Sequence, residues 1–361
     1  MGCPVRCVLM VKAVALVVGS AAAAPGERAF GHISVELPDG GETRVACWLV
    51  RGVRSARGRV GRLDSEPVLY VHSTQHGNEI SGIEVVRRVV SRLNPRLLRG
   101  TVIGVPVANP LAFGWRRHHY LQAPEEAYQD RPELDIDHFW PGDRSGTPVQ
   151  RLAHALWQEA VQHATHVLDM HTWNRWQAAA TTVRARHTPS FELAKAFGLW
   201  VQRRPEVAGE EMGGRGSITA TAIQHGKAAC APNFTGQWDI YEGEVRRGVA
   251  GLRNVLRHLG MMEGEPSGIE PPVYATEDLV DVRADRAGIF LPRVTPEAMV
   301  GRGERLGILV GLDDFREAAI TAPVSGLVQR IGAVSAKCDV ALPPMMPVAA
   351  EGGLVARLLP R

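Results

Sequence analysis

The segment from residue 68 to residue 108 constrains the fold more than any other part of the chain. An apolar run at 68–71 is followed by apolar residues at helical spacing and then by a second strand-like run at 101–108. The helical positions are Ile83, Val86, Val90 and Leu93. Their spacing of three and four residues predicts an amphipathic helix. Strand, helix and strand in this order predict a βαβ unit with parallel strands and a right-handed crossover.

Two polar residues with metal-binding side chains, His76 and Glu79, lie in the turn between the first predicted strand and the helix. In an open α/β sheet, ligands bind at this carboxyl end of the strands. A His and a Glu three residues apart, about one helical turn, can point at one ion. The turn therefore predicts part of a zinc site that needs a further ligand.

A third buried strand is predicted at 165–170, and it delivers His171 at its end. Catalytic zinc binds His nitrogen and carboxylate oxygen and keeps one position for water, whose pKa it lowers to about 7. Asp169 lies two residues before His171 and shares its face of the strand, so it is expected to orient a ligand or hold a nearby cation. Either histidine alone is also compatible with an ordinary buried side chain.

Outside these strands the chain divides into parts of different texture. Alternating runs at 32–37 and 45–50 predict a hairpin. After a Pro/Gly-rich stretch at 263–272 only short β-like pieces follow. We therefore predict an N-terminal extension at 1–26, an α/β catalytic domain at 27–266 and a small all-β domain at 267–361.

Bulk properties limit the function classes. A net charge of +3 gives no support for nucleic-acid binding, and no segment predicts a membrane span. The five cysteines fit neither a disulfide framework nor a cysteine-based zinc site. We expect a cytoplasmic protein, with export as the alternative if residues 1–24 act as a signal peptide. Homo-oligomerisation stays open.

Residues 111–149 have no clean period and are rich in aromatic and charged residues. A connection of that length is usually functional or disordered. Because it follows a strand of the predicted sheet, it is free to fold over the metal turn, and we favour a functional loop.

Several of these pieces together resemble the succinylglutamate desuccinylase/aspartoacylase family, a branch of the zinc carboxypeptidase-like hydrolases. The resemblance covers about residues 66–262. Its motifs are His76-Gly-Asn-Glu79 with Gly82-Ile83-Glu84, Pro106-Val-Ala-Asn-Pro110, Phe139-Trp-Pro-Gly142, Asp169-Met-His171 and the helix from Gly251 to Gly260.

The resemblance implies a doubly wound, mostly parallel mixed sheet with a small C-terminal all-β domain. It also implies that His76, Glu79 and His171 bind one Zn²⁺ per chain. The implied reaction is cleavage of the acyl-amide bond of a small N-acyl amino compound by a zinc-activated water.

The substrate-binding positions depart from the family pattern. The family has an Asp-Leu-Asn-Arg run whose Arg binds a substrate carboxylate, and this chain has Asp135-Ile-Asp-His138. His138 lacks the permanent charge and the fork of Arg. We expect Asn109, Asp137 and His138 to contact substrate. We expect Arg116 or Arg117 to orient it and stabilise the oxyanion, the alternative being a solvated basic pair.

The general-base position departs as well. The family has a Glu where this chain has Asn233, and an amide cannot take a proton from water. General-base help is worth roughly 10²–10⁴ in rate. Acids that could replace it, unless they merely occupy solvated positions, are Asp239 and Glu242 and, less well placed, Glu210 and Glu211. Two functions follow: a zinc-dependent deacylase and a zinc-binding pseudoenzyme with weak or no turnover. A carboxypeptidase is disfavoured by Asp137 and His138.

Overall fold

The computed structural model describes residues 14–53, 66–123, 131–172, 188–203, 216–268, 270–332 and 348–361, and the backbone of 178–179 and 182–185. The strands are β1 (Leu16–Val18), β2 (Ala21–Ala23), β3 (Arg28–Glu36), β4 (Glu42–Arg51), β5 (Val68–Ser73), β6 (Thr101–Val105), β7 (His166–Thr172), β8 (Ala178–Ala179), β9 (Thr182–Ala185), β10 (Trp200–Arg203), β11 (Ala228–Phe234), β12 (Val273–Tyr274), β13 (Val280–Arg283), β14 (Gly288–Pro292), β15 (Met299–Val300), β16 (Arg305–Gly311), β17 (Glu317–Thr321), β18 (Gly326–Ile331), β19 (Val348–Ala349) and β20 (Leu354–Pro360).

The α-helices are α1 (Ser81–Val90), α2 (Pro110–Trp115), α3 (Pro148–Glu159), α4 (Thr188–Phe197), α5 (Ile218–Gln224) and α6 (Glu242–His258). Short 3-10 helices are Pro132–Leu134, Ile136–His138, Val161–His163 and Thr276–Asp278. The helix and strand predicted on either side of the turn with His76 and Glu79 are therefore present, as is the hairpin of β3 and β4.

A nine-stranded mixed sheet organises the first part of the chain, in the order β12-β10-β9-β11-β7-β5-β6-β4-β3. Strand β5 pairs in parallel with both β6 and β7, and β7 pairs in parallel with β11. In this register His72 lies beside Asp169, and His171 lies beside Asn233. Because these strands run the same way, their carboxyl ends meet at one edge of the sheet.

Helices cover both faces of this sheet. Helices α1, α4 and α6 pack with Leu69, Val71 and Leu168 in one hydrophobic cluster, and α3 and α5 pack with Tyr70 and Ile103 in another. Neighbouring residues of β5 thus face opposite clusters, as the two-residue period of a strand requires. The chain is a mixed α/β protein.

The C-terminal part forms two further β sheets around a hydrophobic cluster of their own. The predicted boundary at residue 267 does not separate the sheets cleanly. Strand β12 lies beyond it but pairs with β10 at the edge of the main sheet. Strand β8 lies before it but pairs with β18 of a C-terminal sheet. The two parts exchange short edge strands, which the Pro/Gly-rich stretch does not indicate.

The predicted N-terminal extension also contributes to the fold. Strands β1 and β2 pair with each other, and Val18, Ala21 and Ala23 are buried in the cluster that contains Ile33. The backbone N–H of Ser20 donates to the carbonyl of His32 at 2.9 Å. Residues 14–26 therefore pack on the nine-stranded sheet, while residues 1–13 lie outside the described ranges.

Candidate metal centre

The turn after β5 is fixed by its backbone. Thr74 has a φ of 59°, a left-handed conformation that costs energy for a β-branched residue, and its hydroxyl donates to the carbonyl of Glu79 at 2.9 Å. At Gly77 a Cβ would lie 2.3 Å from the backbone of Ala112 and 2.4 Å from the carbonyl oxygen of Arg117. Only glycine fits there, and the turn is pressed against the segment that follows α2.

Three predicted ligands come together at this turn. The Nδ1 atom of His171 lies 2.8 Å from Oε2 of Glu79, and the Nδ1 atom of His76 lies 3.4 Å from Oε1 of the same carboxylate. One donor atom from each residue lies within 4.8 Å of the other two, and all three residues are buried. This compact set of two nitrogens and a carboxylate is the kind that a catalytic zinc ion binds.

The other nitrogen of each imidazole is held by an aspartate. Nε2 of His76 lies 3.0 Å from Oδ1 of Asp135, and Nε2 of His171 lies 2.8 Å from Oδ2 of Asp169. Such carboxylates place the proton on the far nitrogen and leave the near one as a metal donor. The residues therefore fit a metal ion, and the buried Nδ1 of His76, which makes no hydrogen bond in the described part of the chain, supports that fit.

Neighbouring charges shift the pKa values of these histidines and aspartates. Burial works to lower the pKa of His171, but the carboxylates of Asp169 and Glu79 outweigh it and raise that pKa to about 10. The pKa of His76 is raised well above its usual range in the same way, burial being outweighed by Glu79 and Asp135. Burial would raise the pKa of Asp169, but His171 and His72 lower it. Ionised carboxylates thus surround the two imidazoles.

Further contacts hold these aspartates in place. Nε2 of His72 lies 2.8 Å from Oδ1 of Asp169. The amide nitrogen of Gln75 donates to Oδ1 of Asp137 at 2.7 Å, and the indole nitrogen of Trp140 donates to the amide oxygen of Gln75 at 3.3 Å. Asp137, which we expected to bind substrate, instead accepts the hydrogen bond from Gln75 and lies beside Asp169 and His171. Burial and the nearby Asp169 and Asp135 raise its pKa.

The segment after α2 adds two buried histidines. The rings of His76 and His118 stack with centroids 4.0 Å apart, and His119 meets His76 edge-on at 5.7 Å. Burial, followed by the charge of His76, lowers the pKa of His118 well below its usual value and that of His119 to about 4. The expectation that the loop after β6 folds over the turn with His76 and Glu79 agrees with the placement of His118 and His119.

Several groups at this centre have no role predicted from the sequence: His72, Gln75, His118, His119 and the carboxylate of Asp135. For some of these residues the sequence does contain a feature that indicates their position. Two adjacent histidines in an aperiodic loop and a glycine directly after His76 indicate a close approach of the two segments. His72 lies in the run of β5 itself, where the two-residue period places it on the face of Tyr70.

The residues predicted to bind substrate do not form a cluster like that of the predicted metal ligands. Asn109 is buried with both amide atoms engaged: its nitrogen donates to the carbonyl of Gln75, and its oxygen accepts from the N–H of Ala112. The side chain of His138 is 56% exposed, with Nε2 3.8 Å from Asp135. Arg116 ends α2 in a left-handed conformation and is exposed, and Arg117 is half-buried.

At the position where the family pattern predicts a general base, the side-chain amide of Asn233 is hydrogen-bonded within its own strand. Asn233 is buried, and its Nδ2 donates to the carbonyl of Ala231 in the same strand at 2.8 Å. Of the acids considered as substitutes, Glu242 forms an ion pair with Arg88 at 2.8 Å. Asp239 accepts from Ser81 through its backbone carbonyl. The remaining two, Glu210 and Glu211, lie outside the described residues.

Comparisons with known proteins bear on these observations. The family model described as the succinylglutamate desuccinylase/aspartoacylase catalytic domain matches residues 65–259. The N-alpha-acetyl-L-2,4-diaminobutyric acid deacetylase of Halomonas elongata is 25% identical over 288 residues, which cover 75% of this chain and 77% of that protein. The relatives named by these matches are deacylating hydrolases.

Solved structures share the fold. A succinylglutamate desuccinylase/aspartoacylase from Rhodobacter sphaeroides has a TM-score of 0.67 at 21% identity, covering 92% of this chain and 95% of that one. The product-bound ectoine utilization protein EutE (DoeB) from Ruegeria pomeroyi has a TM-score of 0.65 at 19% identity, with coverage of 92% and 94%. Within the described residues no helix is long and apolar enough to cross a membrane.

The family match spans more than half of the chain and contains the three converging side chains, so this protein belongs to the succinylglutamate desuccinylase/aspartoacylase family.

Proposed function

We propose that this protein is a zinc-dependent deacylase that cleaves the acyl-amide bond of a small N-acyl amino compound. The observation that carries the proposal is the arrangement of His76, Glu79 and His171, with one donor atom of each within 4.8 Å of the others. Membership of a family whose named relatives are deacylases supports the reaction class.

In this proposal His76, Glu79 and His171 hold one Zn²⁺. The chemistry that zinc supplies when bound is that of a Lewis acid, which polarises an acyl carbonyl and acidifies water. The carboxylate of Asp135 holds the ring of His76, and that of Asp169 holds the ring of His171. With both rings fixed, a loaded site needs little rearrangement before substrate enters.

Substrate contacts are proposed for two accessible residues, Arg117 and His138. Arg117 is half-buried and the side chain of His138 is 56% exposed, so both are accessible to a polar acyl or amino substituent. Neither repeats the Asp-Leu-Asn-Arg pattern of the family, so we propose a substrate preference that does not depend on a carboxylate in the acyl group. Arg116, which is exposed, is proposed to have a peripheral part.

A second candidate is a zinc-binding protein that recognises an N-acyl compound with little or no turnover. The observation that favours it is Asn233, whose amide is hydrogen-bonded to its own strand where a proton acceptor is expected. The two candidates predict the same metal content and differ in rate.

The test is hydrolysis of a panel of N-acetyl and N-succinyl amino compounds by the zinc-loaded protein and by the chelated protein. Under the leading proposal, turnover depends on zinc and falls to background in Glu79→Ala, while Glu84→Ala keeps it. Glu84 is a matched control because it pairs with Arg87 and Arg88 on the solvent side of α1. Zinc binding and ligand binding without turnover would instead establish the second candidate.

A further inference from the structure

Four buried side chains form a hydrogen-bonded line from the interior of the nine-stranded sheet to the proposed metal centre. The hydroxyl of Tyr70 lies 3.1 Å from Nδ1 of His72, and Nε2 of His72 lies 2.8 Å from Oδ1 of Asp169. The second oxygen of Asp169, Oδ2, lies 2.8 Å from Nε2 of His171. Tyr70 is therefore linked to a proposed zinc ligand through two intermediate side chains.

The line follows from the two strands that carry it. Tyr70 and His72 are two residues apart on β5, and Asp169 and His171 are two residues apart on β7, so each pair lies on one face of the sheet. The parallel register places His72 beside Asp169. The rings of Tyr70 and Trp140 contact the imidazole of His72, with centroids 5.3 and 5.9 Å away. Packing and hydrogen bonds together fix this imidazole.

The hydroxyl of Tyr70 is not needed to fill the core. Tyr70 is fully buried in the hydrophobic cluster that contains Ile103 and Val167, and phenylalanine would fill nearly the same space. A buried hydroxyl or imidazole without a hydrogen bond costs free energy. A polar pair in this cluster is therefore unfavourable unless both members are bonded, and the bond from His72 to Asp169 connects the pair to the metal centre.

The direction of these hydrogen bonds is set by Asp169. Its ionised carboxylate only accepts, so the Nε2 atoms of His72 and His171 both donate to it. In a neutral imidazole the other nitrogen accepts, and Nδ1 of His72 then accepts the proton of the Tyr70 hydroxyl. Burial, followed by the charge of Asp169, raises the pKa of Tyr70 well above its usual value, so the hydroxyl keeps this proton. Tyr70 thus selects the tautomer of His72 that donates to Asp169.

We propose that Tyr70 and His72 are positioning residues for the metal centre. Through Asp169 they hold the ring of His171 with Nδ1 toward Glu79, 2.8 Å from its Oε2 atom. This role rests on the proposed function, because it takes His171 as a zinc ligand. It extends the support of that ligand from one carboxylate to a line of three side chains, along which the effect of a substitution should decrease.

The experiment compares the zinc affinity of the full chain in two variants that each lose one buried hydroxyl. Competition with a chromophoric chelator should show that Tyr70→Phe binds Zn²⁺ more weakly than the wild type. The loss should be smaller than the roughly 10–100-fold typical when a direct partner of a ligand is removed. The matched control is Tyr274→Phe, because Tyr274 is also buried and its hydroxyl accepts from Nε2 of Gln329 at 3.5 Å, on the edge strand β12. Its zinc affinity should equal that of the wild type.

Two further measurements show whether the effect passes through Asp169. Adding Tyr70→Phe to Asp169→Asn should change zinc affinity little, because the line is already broken, whereas independent sites would give additive losses. His72→Gln, which keeps a side-chain N–H to donate to Asp169, should retain more affinity than His72→Phe. The visible absorption bands of the Co²⁺-loaded protein should shift in Tyr70→Phe and stay unchanged in Tyr274→Phe.

The positioning role would be overturned by equal zinc affinity in Tyr70→Phe and the wild type, by an equal loss in Tyr274→Phe, or by additive losses with Asp169→Asn. Each of these results leaves the proposed deacylase intact. Zinc binding without turnover in the wild type would instead count against the deacylase and leave the positioning role in place. Wild-type protein that binds no zinc would overturn both.

Discussion

The two halves of the candidate centre differ in how firmly their side chains are held. On the metal side, His76, Glu79 and His171 are buried and each ring is bonded to an aspartate. On the proposed substrate side, Arg116 is exposed and the side chain of His138 is 56% exposed. The metal side is therefore preorganised, while the substrate side has few fixed charged groups.

The difference predicts that metal binding and turnover can be separated in this protein. Holding an ion requires donors at the carboxyl ends of β5 and β7, and those strands pair directly. Turnover also requires a proton acceptor, and the expected position on β11 carries Asn233 beside His171. A family member can thus keep the first property while the second is reduced.

The largest effect is expected from Asn233→Glu. This substitution would add to the centre the proton acceptor that turnover requires, without changing the proposed metal ligands. A carboxylate next to His171 in the register would supply the missing proton acceptor, and general-base catalysis is worth about 10²–10⁴ in rate. We expect kcat for the best N-acyl substrate to rise within that range while metal content stays unchanged. Stopped or continuous assay of amine release measures it.

Asn233→Gln is the control for that experiment, because it adds the same length without a carboxylate. It should leave kcat near the wild-type value. Equal rates in wild type and Asn233→Glu, with metal present in both, would mean that another group already accepts the proton.

Much of the metal side could be predicted from the sequence because it depends on regular structure. The residue patterns of β5 and β7 predict strands, and parallel strands align their carboxyl ends. His76 and Glu79 follow the end of β5, and His171 is the last but one residue of β7. The helix α1 was predictable for the same reason, since its buried residues recur at helical spacing. Local pattern and long-range position agree there.

The contributions of His118, His119 and Asp135 could not be predicted in this way. They lie in segments without a period, and the two histidines follow the left-handed Arg116 and the close contact at Gly77. The edge strands β8 and β12 are two residues each and pair with distant partners. Runs that short carry no periodic signal, so only the tertiary fold specifies them.

A smaller effect is expected on the metal side from Asp169→Asn. This change removes the carboxylate that holds Nε2 of His171 at 2.8 Å and that also contacts His72. Loss of such a partner typically weakens metal affinity by about 10–100-fold. Competition with a chromophoric chelator measures the dissociation constant.

Asp281→Asn is the matched control, because Asp281 pairs with Arg283 and Arg357 in the C-terminal sheets. Its metal affinity should equal that of the wild type. If Asp169→Asn binds zinc as tightly as the wild type with an unchanged thermal midpoint, the metal side is not preorganised by this carboxylate.

The pH dependence of metal binding sharpens the same point. Because the pKa of His171 is raised to about 10, its imidazole carries a proton at pH 7, and zinc binds only the neutral ring. Binding must therefore release that proton. Affinity should rise with pH, by about tenfold per pH unit for each proton displaced, between pH 7 and pH 9.

Calorimetry in two buffers of different ionisation enthalpy counts the released protons at pH 7. The dissociation constant is measured in parallel with a chelator whose own affinity is known at each pH. An affinity that stays constant from pH 7 to pH 9, with no proton released, would contradict the raised pKa of His171.

The smallest effect is expected on the substrate side, from Arg116→Ala. Arg116 is exposed at the end of α2, and an exposed charged contact contributes at most about 1 kcal/mol, or roughly fivefold. The ratio kcat/KM should therefore change by less than about fivefold. Arg117→Ala is the comparison: its half-buried guanidinium should act mainly on KM. A larger loss of kcat/KM in Arg116→Ala than in Arg117→Ala would reverse the roles proposed for the two arginines. Arg116 would then be the charged group that contacts substrate, despite its exposure.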